Sequence, residues 1–96
     1  MPQEKSIACI IVDDESVARE VIETHLSKIP GITLMGSYNN AMDALICLRE
    51  QTIDLVFLDI NMPHISGISF AKSIPKNIKI IFTTAYREYA VEGFEL

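Results

Sequence analysis

A chain of 96 residues suits one domain, and with 49% apolar and 22% charged residues it has the composition of one that buries a core. Thirteen acidic residues against eight basic ones give a net charge of −5, which argues against electrostatic binding to nucleic acid or an anionic membrane. The longest apolar run, Ile7–Val12, is far short of the roughly 20 residues a spanning helix needs. The polar start before it is too short for a signal-peptide core, and aspartates follow at once. Two cysteines make neither a disulfide framework nor a four-ligand zinc site. Cys9, in an apolar run, and Cys47, in a helical pattern, read as small core residues of a reducing cytoplasm.

In chain order, the first apolar run is Ile7–Val12. Next comes the helical pattern of Val17, Val21, Ile22, Leu26 and Ile29, with Ser16 as the expected N-cap and Pro30-Gly31 as the stop. Ile32–Met35, closed by Gly36, reads as a weaker strand at an edge or half-buried. Ala41, Ala44, Leu45 and Leu48 then repeat at helical spacing behind the capping candidates Asn39 and Asn40. Leu55–Leu58 is a second short run apolar throughout. A shorter helix carries Ile68, Ala71 and Ile74 and ends at Pro75, and Ile78–Phe82 follows as a last run, apolar except for Lys79. Tyr86, Tyr89, Ala90, Gly93 and Phe94 start a fourth helical pattern that runs to Leu96. Short runs apolar on nearly every residue signal strands covered on both faces. The β-α alternation therefore predicts an open, parallel α/β sheet with right-handed crossovers.

Ligands of such sheets sit at the carboxyl ends of the strands, where the strand order switches. The first run ends in Asp13-Asp14-Glu15, the third in Asp59 before Asn61, Met62 and Pro63, and the last in Thr83-Thr84. With strands in the order 2-1-3-4, Asp13, Asp14 and Asp59 converge. Taken singly, Asp14 or Glu15 reads as a helix cap, Asp59 as a turn residue and the threonines as ordinary strand residues. Their coincidence at one edge favours a site. Clustered carboxylates repel, which raises their pKa unless a cation joins them. Oxygen donors without histidine or cysteine suit Mg²⁺. An aspartate at such a site can attack phosphorus, and a hydroxyl on Thr84 can hydrogen-bond a phosphoryl oxygen.

The stretches Ile11-Val12-Asp13-Asp14-Glu15, Leu58-Asp59-Ile60-Asn61-Met62-Pro63 with Gly67, and Phe82-Thr83-Thr84-Ala85 resemble the receiver domain of two-component response regulators. Phe82–Tyr86 and Tyr89–Leu96 are similar to the LytTR (LytR/AlgR-like) subgroup. The resemblance implies a flavodoxin-like doubly wound sheet of order 2-1-3-4, and a phosphorylatable switch rather than a turnover enzyme. It implies Asp59 as the acceptor of phosphate from a sensor histidine kinase and Thr84 as the switch hydroxyl. Asp14 would bind Mg²⁺ directly, Asp13 through water, Asp59 itself and Asn61 through its backbone carbonyl. Met62-Pro63 and Gly67 would shape the loop holding Asp59.

The family's lysine-proline pair on a fifth strand has no counterpart among Lys5, Lys28, Lys72, Lys76 and Lys79, and Arg87 reads as solvated. The chain is therefore expected to stop before the fifth strand, the fifth helix and any output domain that would contact DNA. Self-association, with Glu88–Leu96 rearranged, is the expected consequence. Two other readings stay open. A haloacid-dehalogenase-type phosphatase wants an acidic side chain where Asn61 stands, and a phosphate-independent interaction module would need no acceptor.

Overall fold

Four β-branched side chains among the six residues of Ile7–Val12 commit that run to an extended backbone, and it forms the first strand, β1. The computed structural model describes residues 6–62 and 67–83. Around β1 stand α1 (Ser16–Leu26), β2 (Ile32–Tyr38), α2 (Ala41–Glu50), β3 (Leu55–Leu58), α3 (Gly67–Ser73) and β4 (Lys79–Phe82). The sheet has the order β2-β1-β3-β4 with every described pair parallel, as the alternation of elements predicts.

Successive residues of β1 point to opposite faces, which divides the core in two. Ile10 and Val12 join Val56, Leu58, Ala44, Cys47 and Phe70 under α2 and α3. Cys9 and Ile11 join Leu26, Ile22, Leu34 and Phe57 under α1. Cys9 and Cys47 are buried free thiols, as expected of small core residues. Burial on both faces holds for β1 alone. β3 alternates buried with half-buried residues, and β4 is half-buried at best, with Ile81 47% exposed. β4 lies at the end of the described sheet, so it has a neighbouring strand on one side only.

Several boundaries differ from the sequence expectation, each for a local reason. The helix α1 stops at Leu26 rather than running to Ile29, and Ser27, Lys28 and Ile29 donate backbone hydrogen bonds to Glu23, His25 and Leu26 in a tightening final turn. Gly31 then takes φ +88°, which favours glycine, and its carbonyl accepts the Ile7 N–H at 2.7 Å. Only Ile22 and Leu26 of the predicted apolar stripe turn toward the sheet; Val17 and Val21 are 70% and 51% exposed.

β2 continues through Gly36 to Tyr38 instead of ending before it. The pairing register shifts between Cys9–Leu34 and Ile10–Gly36, so Met35 is an extra residue in the strand. Gly36 lies beneath the Tyr38 ring, where a Cβ would approach Cζ to 2.6 Å. The glycine makes room for an aromatic ring and does not end the strand. β4 begins at Lys79, one residue later than predicted. In α2, Asn40 is the N-cap as expected, its Oδ1 accepting the Asp43 N–H at 2.8 Å. In α1 the cap position falls to Glu15, not Ser16, and no side chain caps it. Pro63, the fourth helical pattern from Tyr86 and the expected rearrangement of Glu88–Leu96 lie outside the described residues.

At the amino edge of the sheet one residue ties three strands together. Asp54 Oδ2 accepts the Ala8 N–H at 2.9 Å, its own N–H donates to the Ala8 carbonyl at 2.8 Å, and its carbonyl accepts the Lys79 N–H at 2.9 Å. Asp54→Ala keeps both backbone bonds but leaves the half-buried Ala8 amide without its acceptor. A loss of about 1–3 kcal/mol in urea-induced unfolding is expected.

Candidate functional site

At the opposite edge the hydrogen-bond ladder runs one residue beyond each strand. Asp13 N–H donates to the Tyr38 carbonyl at 3.0 Å, Asp59 N–H to Val12 at 2.9 Å and Thr83 N–H to Leu58 at 2.9 Å. The first residue after β1, β3 and β4 is therefore fixed in a single row across three neighbouring strands. Parallel pairing in register makes Asp13 and Asp59 neighbours although 46 positions separate them. Asp14 follows in the turn into α1, and carboxylate oxygens of Asp13, Asp14 and Asp59 all lie within 4.8 Å of one another.

The three acids are not equivalent. Asp13 is 5% exposed, and its Oδ1 accepts the Glu15 N–H at 2.9 Å, so the side chain closes the turn that starts α1. Asp14 is exposed. Asp59 is half-buried, and its Oδ1 accepts the Asn61 N–H at 3.1 Å. Its pKa is raised to about 6, first by burial and then by the charges of Asp13 and Asp14 and a hydrogen bond shared with Asp14, while the Asn61 N–H pulls the other way. The sequence argument named repulsion as the cause; here burial leads. A carboxylate with that pKa is ionised at neutral pH yet more basic than an ordinary aspartate, a useful state for attack on an electrophilic phosphorus.

Oxygen donors alone, three of them carboxylates from two strands, match a hard divalent cation of the Mg²⁺ type. Asn61 is exposed just beyond Asp59, and Ile60 and Met62 on either side of it are buried, anchoring the loop at 2% and 8% exposure. Gly67 opens α3. Thr83 is the β4 member of the row, whereas Thr84 and Arg87 lie outside the described residues. Two participants escaped the sequence reading. Tyr38 offers only a carbonyl, which no motif reports. Arg19 donates from Nη1 to the Asp13 carbonyl at 2.8 Å. Its signal was a cation near the start of a helix, where the dipole disfavours one.

The family model of the response regulator receiver domain matches residues 9–96. An uncharacterized response regulatory protein of Shewanella oneidensis is 42% identical over 91 residues, covering 93% of this chain and 39% of that protein. The transcriptional regulatory protein YpdB of Escherichia coli K12 is 34% identical over 90 residues, covering 91% and 37%. The crystal structure of response regulator protein TrrA from Thermotoga maritima, in complex with Mg(2+)-BeF, superposes with a TM-score of 0.80 at 36% identity, covering 90% of this chain and 76% of that one. The chain spans little more than a third of the length of these two curated relatives.

The raised pKa of Asp59 sets a pH dependence. Its folded value lies above its unfolded one, so between about pH 4 and 6 the folded state holds more of this proton. The contribution of Asp59 to stability is thus full below the unfolded value and lost as pH rises through the folded one. Metal-free protein should lose stability across that window. Asp59→Asn should flatten that slope, and chemical unfolding at pH 4, 5 and 6 measures the difference.

Proposed function

This chain belongs to the response regulator receiver domain family, and on that premise we propose that Asp59 is its phosphoacceptor, served by Mg²⁺ held in the acidic pocket. The observation that carries the reading is the meeting of Asp13, Asp14 and Asp59 within 4.8 Å at the carboxyl edge of the sheet. Asp14 and Asp59 would hold the cation through their carboxylates, Asn61 through its backbone carbonyl and Asp13 through bound water. When bound, the cation supplies positive charge that offsets the carboxylates and the oxygens of an incoming phosphoryl group.

An Asp59 carboxylate oxygen attacks the phosphorus of a phosphohistidine on a sensor histidine kinase. The new O–P bond forms as the N–P bond breaks, and the departing imidazole nitrogen takes a proton from solvent. The product is an acyl phosphate on Asp59. Burial of Asp59 favours this reaction by removing part of the water shell that would otherwise blunt the nucleophile. Asp13 serves the pocket with a side chain already committed to the turn, so its substitution disturbs the start of α1 as well as the site. Thr84 is proposed as the hydroxyl that answers the phosphoryl group.

A transcriptional regulator is the proposed context, supported by the likeness of Phe82–Tyr86 and Tyr89–Leu96 to the LytTR subgroup. DNA contact would fall to a separate output domain, since this chain carries a net charge of −5. No helix among the described residues is long and apolar enough to cross a membrane. A cytoplasmic location, where a sensor kinase would phosphorylate the domain, belongs to the same proposal.

Incubation with Mg²⁺ and acetyl phosphate, followed by intact-mass measurement, tests the assignment. A single phosphoryl adduct on the wild-type chain and none on Asp59→Asn is expected; an undiminished adduct on Asp59→Asn would overturn it. A calorimetric Mg²⁺ titration adds a second check. Asp14→Ala, which removes an exposed carboxylate that anchors no turn, should lose at least about tenfold in affinity with little change in metal-free stability. Equal binding by the two proteins would remove Asp14 from the site.

A further inference from the structure

α1 begins without the usual local supports. The side chain of its cap residue Glu15 makes no capping hydrogen bond, and no acidic residue stands in its first turn. Instead Arg19 occupies the fourth helical position, where a cation faces the positive end of the helix dipole. Such a placement costs helix stability, so the residue needs another role. Its backbone N–H enters the helix ladder on Glu15 at 3.1 Å, and its guanidinium Nη1 reaches back to the Asp13 carbonyl at 2.8 Å. The arginine is half-buried, which strengthens a charge-assisted hydrogen bond.

Asp13 is held at several polar points. Its N–H is on Tyr38, its carbonyl on Arg19 and its Oδ1 on the Glu15 N–H, and one of its carboxylate oxygens lies within 4.8 Å of those of Asp14 and Asp59. Of these ties, the Tyr38 bond belongs to the sheet and the Glu15 bond belongs to the turn itself. Among the described residues, Arg19 is the one whose side chain connects the turn to the body of α1. We propose that Arg19 is a positioning residue for the metal pocket: by gripping the Asp13 carbonyl it locks the Asp13-Asp14-Glu15 turn in the conformation that points Asp13 and Asp14 at Asp59.

This inference rests on the reading of the pocket as a Mg²⁺ site. Partners that orient metal ligands typically carry about 10–100-fold of metal affinity. Arg19 acts on the ligand's backbone, so the lower end, about tenfold, is expected on replacing it. Arg19→Met keeps the aliphatic stem and the helix preference while deleting the donor. Arg19→Lys keeps the charge but loses the planar fork, and its loss of affinity should be intermediate.

Mg²⁺ alone is titrated by calorimetry into the full wild-type chain and both variants at about 0.5 M KCl, where screening beyond about 4 Å removes the bare charge effect. Amide hydrogen exchange of Glu15 is read in the metal-free proteins. Weaker Mg²⁺ binding in Arg19→Met, with faster Glu15 exchange and an unchanged exchange rate in β1, supports the proposal. Unchanged affinity overturns it. Tighter binding also overturns it, since that outcome means Arg19 acts as a repelling charge rather than as a positioning residue. If Arg19→Met fails to fold, Arg19→Lys decides by the same two readings. A wild-type chain that binds no Mg²⁺ overturns the reading of the pocket itself, and is distinguished by the wild-type titration alone.

Discussion

Three backbone hydrogen bonds carry the rest of this structure: Asp13 to Tyr38, Asp59 to Val12 and Thr83 to Leu58. Each extends parallel pairing by one residue past the end of a strand, at the rim of the core, where the backbone is still held by the sheet. A polar residue there gains a rigid mount, with Asp13 buried and Asp59 half-buried. This is why carboxylates can be brought within 4.8 Å of one another without leaving the fold to their mercy. Their mutual repulsion acts on a rim that the sheet holds in place.

The holding energy comes from elsewhere. Ile10, Ile11, Val12, Val56 and Leu58 are fully buried, and each contributes on the order of 1.5–3 kcal/mol by leaving water. The site draws against that reserve, since Asp59 is partly desolvated beside two other acids and its pKa rises to about 6. A carboxylate more basic than its kind suits the phosphoacceptor role proposed for Asp59, and the burial that makes it costly is the first cause of that basicity.

The turn between β1 and α1 shows how a functional loop is kept from relaxing. A helix start is ordinarily defined by its own cap and first-turn acids. Here the acids lie one step earlier, in the pocket, and the helix begins uncapped. Asp13 steadies that start by accepting the Glu15 N–H, and Arg19 returns from the helix to hold the Asp13 carbonyl. Fold and site therefore share the same few bonds. A substitution at Asp13 reads as both structural and functional, whereas one at Asp14 separates the two.

By itself the sequence determined the element order and the parallel sheet, and its resemblance to receiver domains implied the strand order 2-1-3-4. Strand-buried runs and the helical spacing between them are local patterns, imposed by which faces must be apolar. It also located the acidic pocket, because motif residues that follow strands must share an edge once the strands are parallel. Only the tertiary structure decided which half of each pattern is buried: Ile22 and Leu26 inward and Val17 and Val21 outward, β2 carried through Gly36, and β4 half-exposed at the end of the described sheet. It alone revealed that burial leads in raising the Asp59 pKa, and that Arg19 and the Tyr38 carbonyl brace Asp13. These depend on the approach of groups far apart in the chain or presented by the backbone. Residue type and spacing carry no record of where a carbonyl points or how much water a neighbouring element removes.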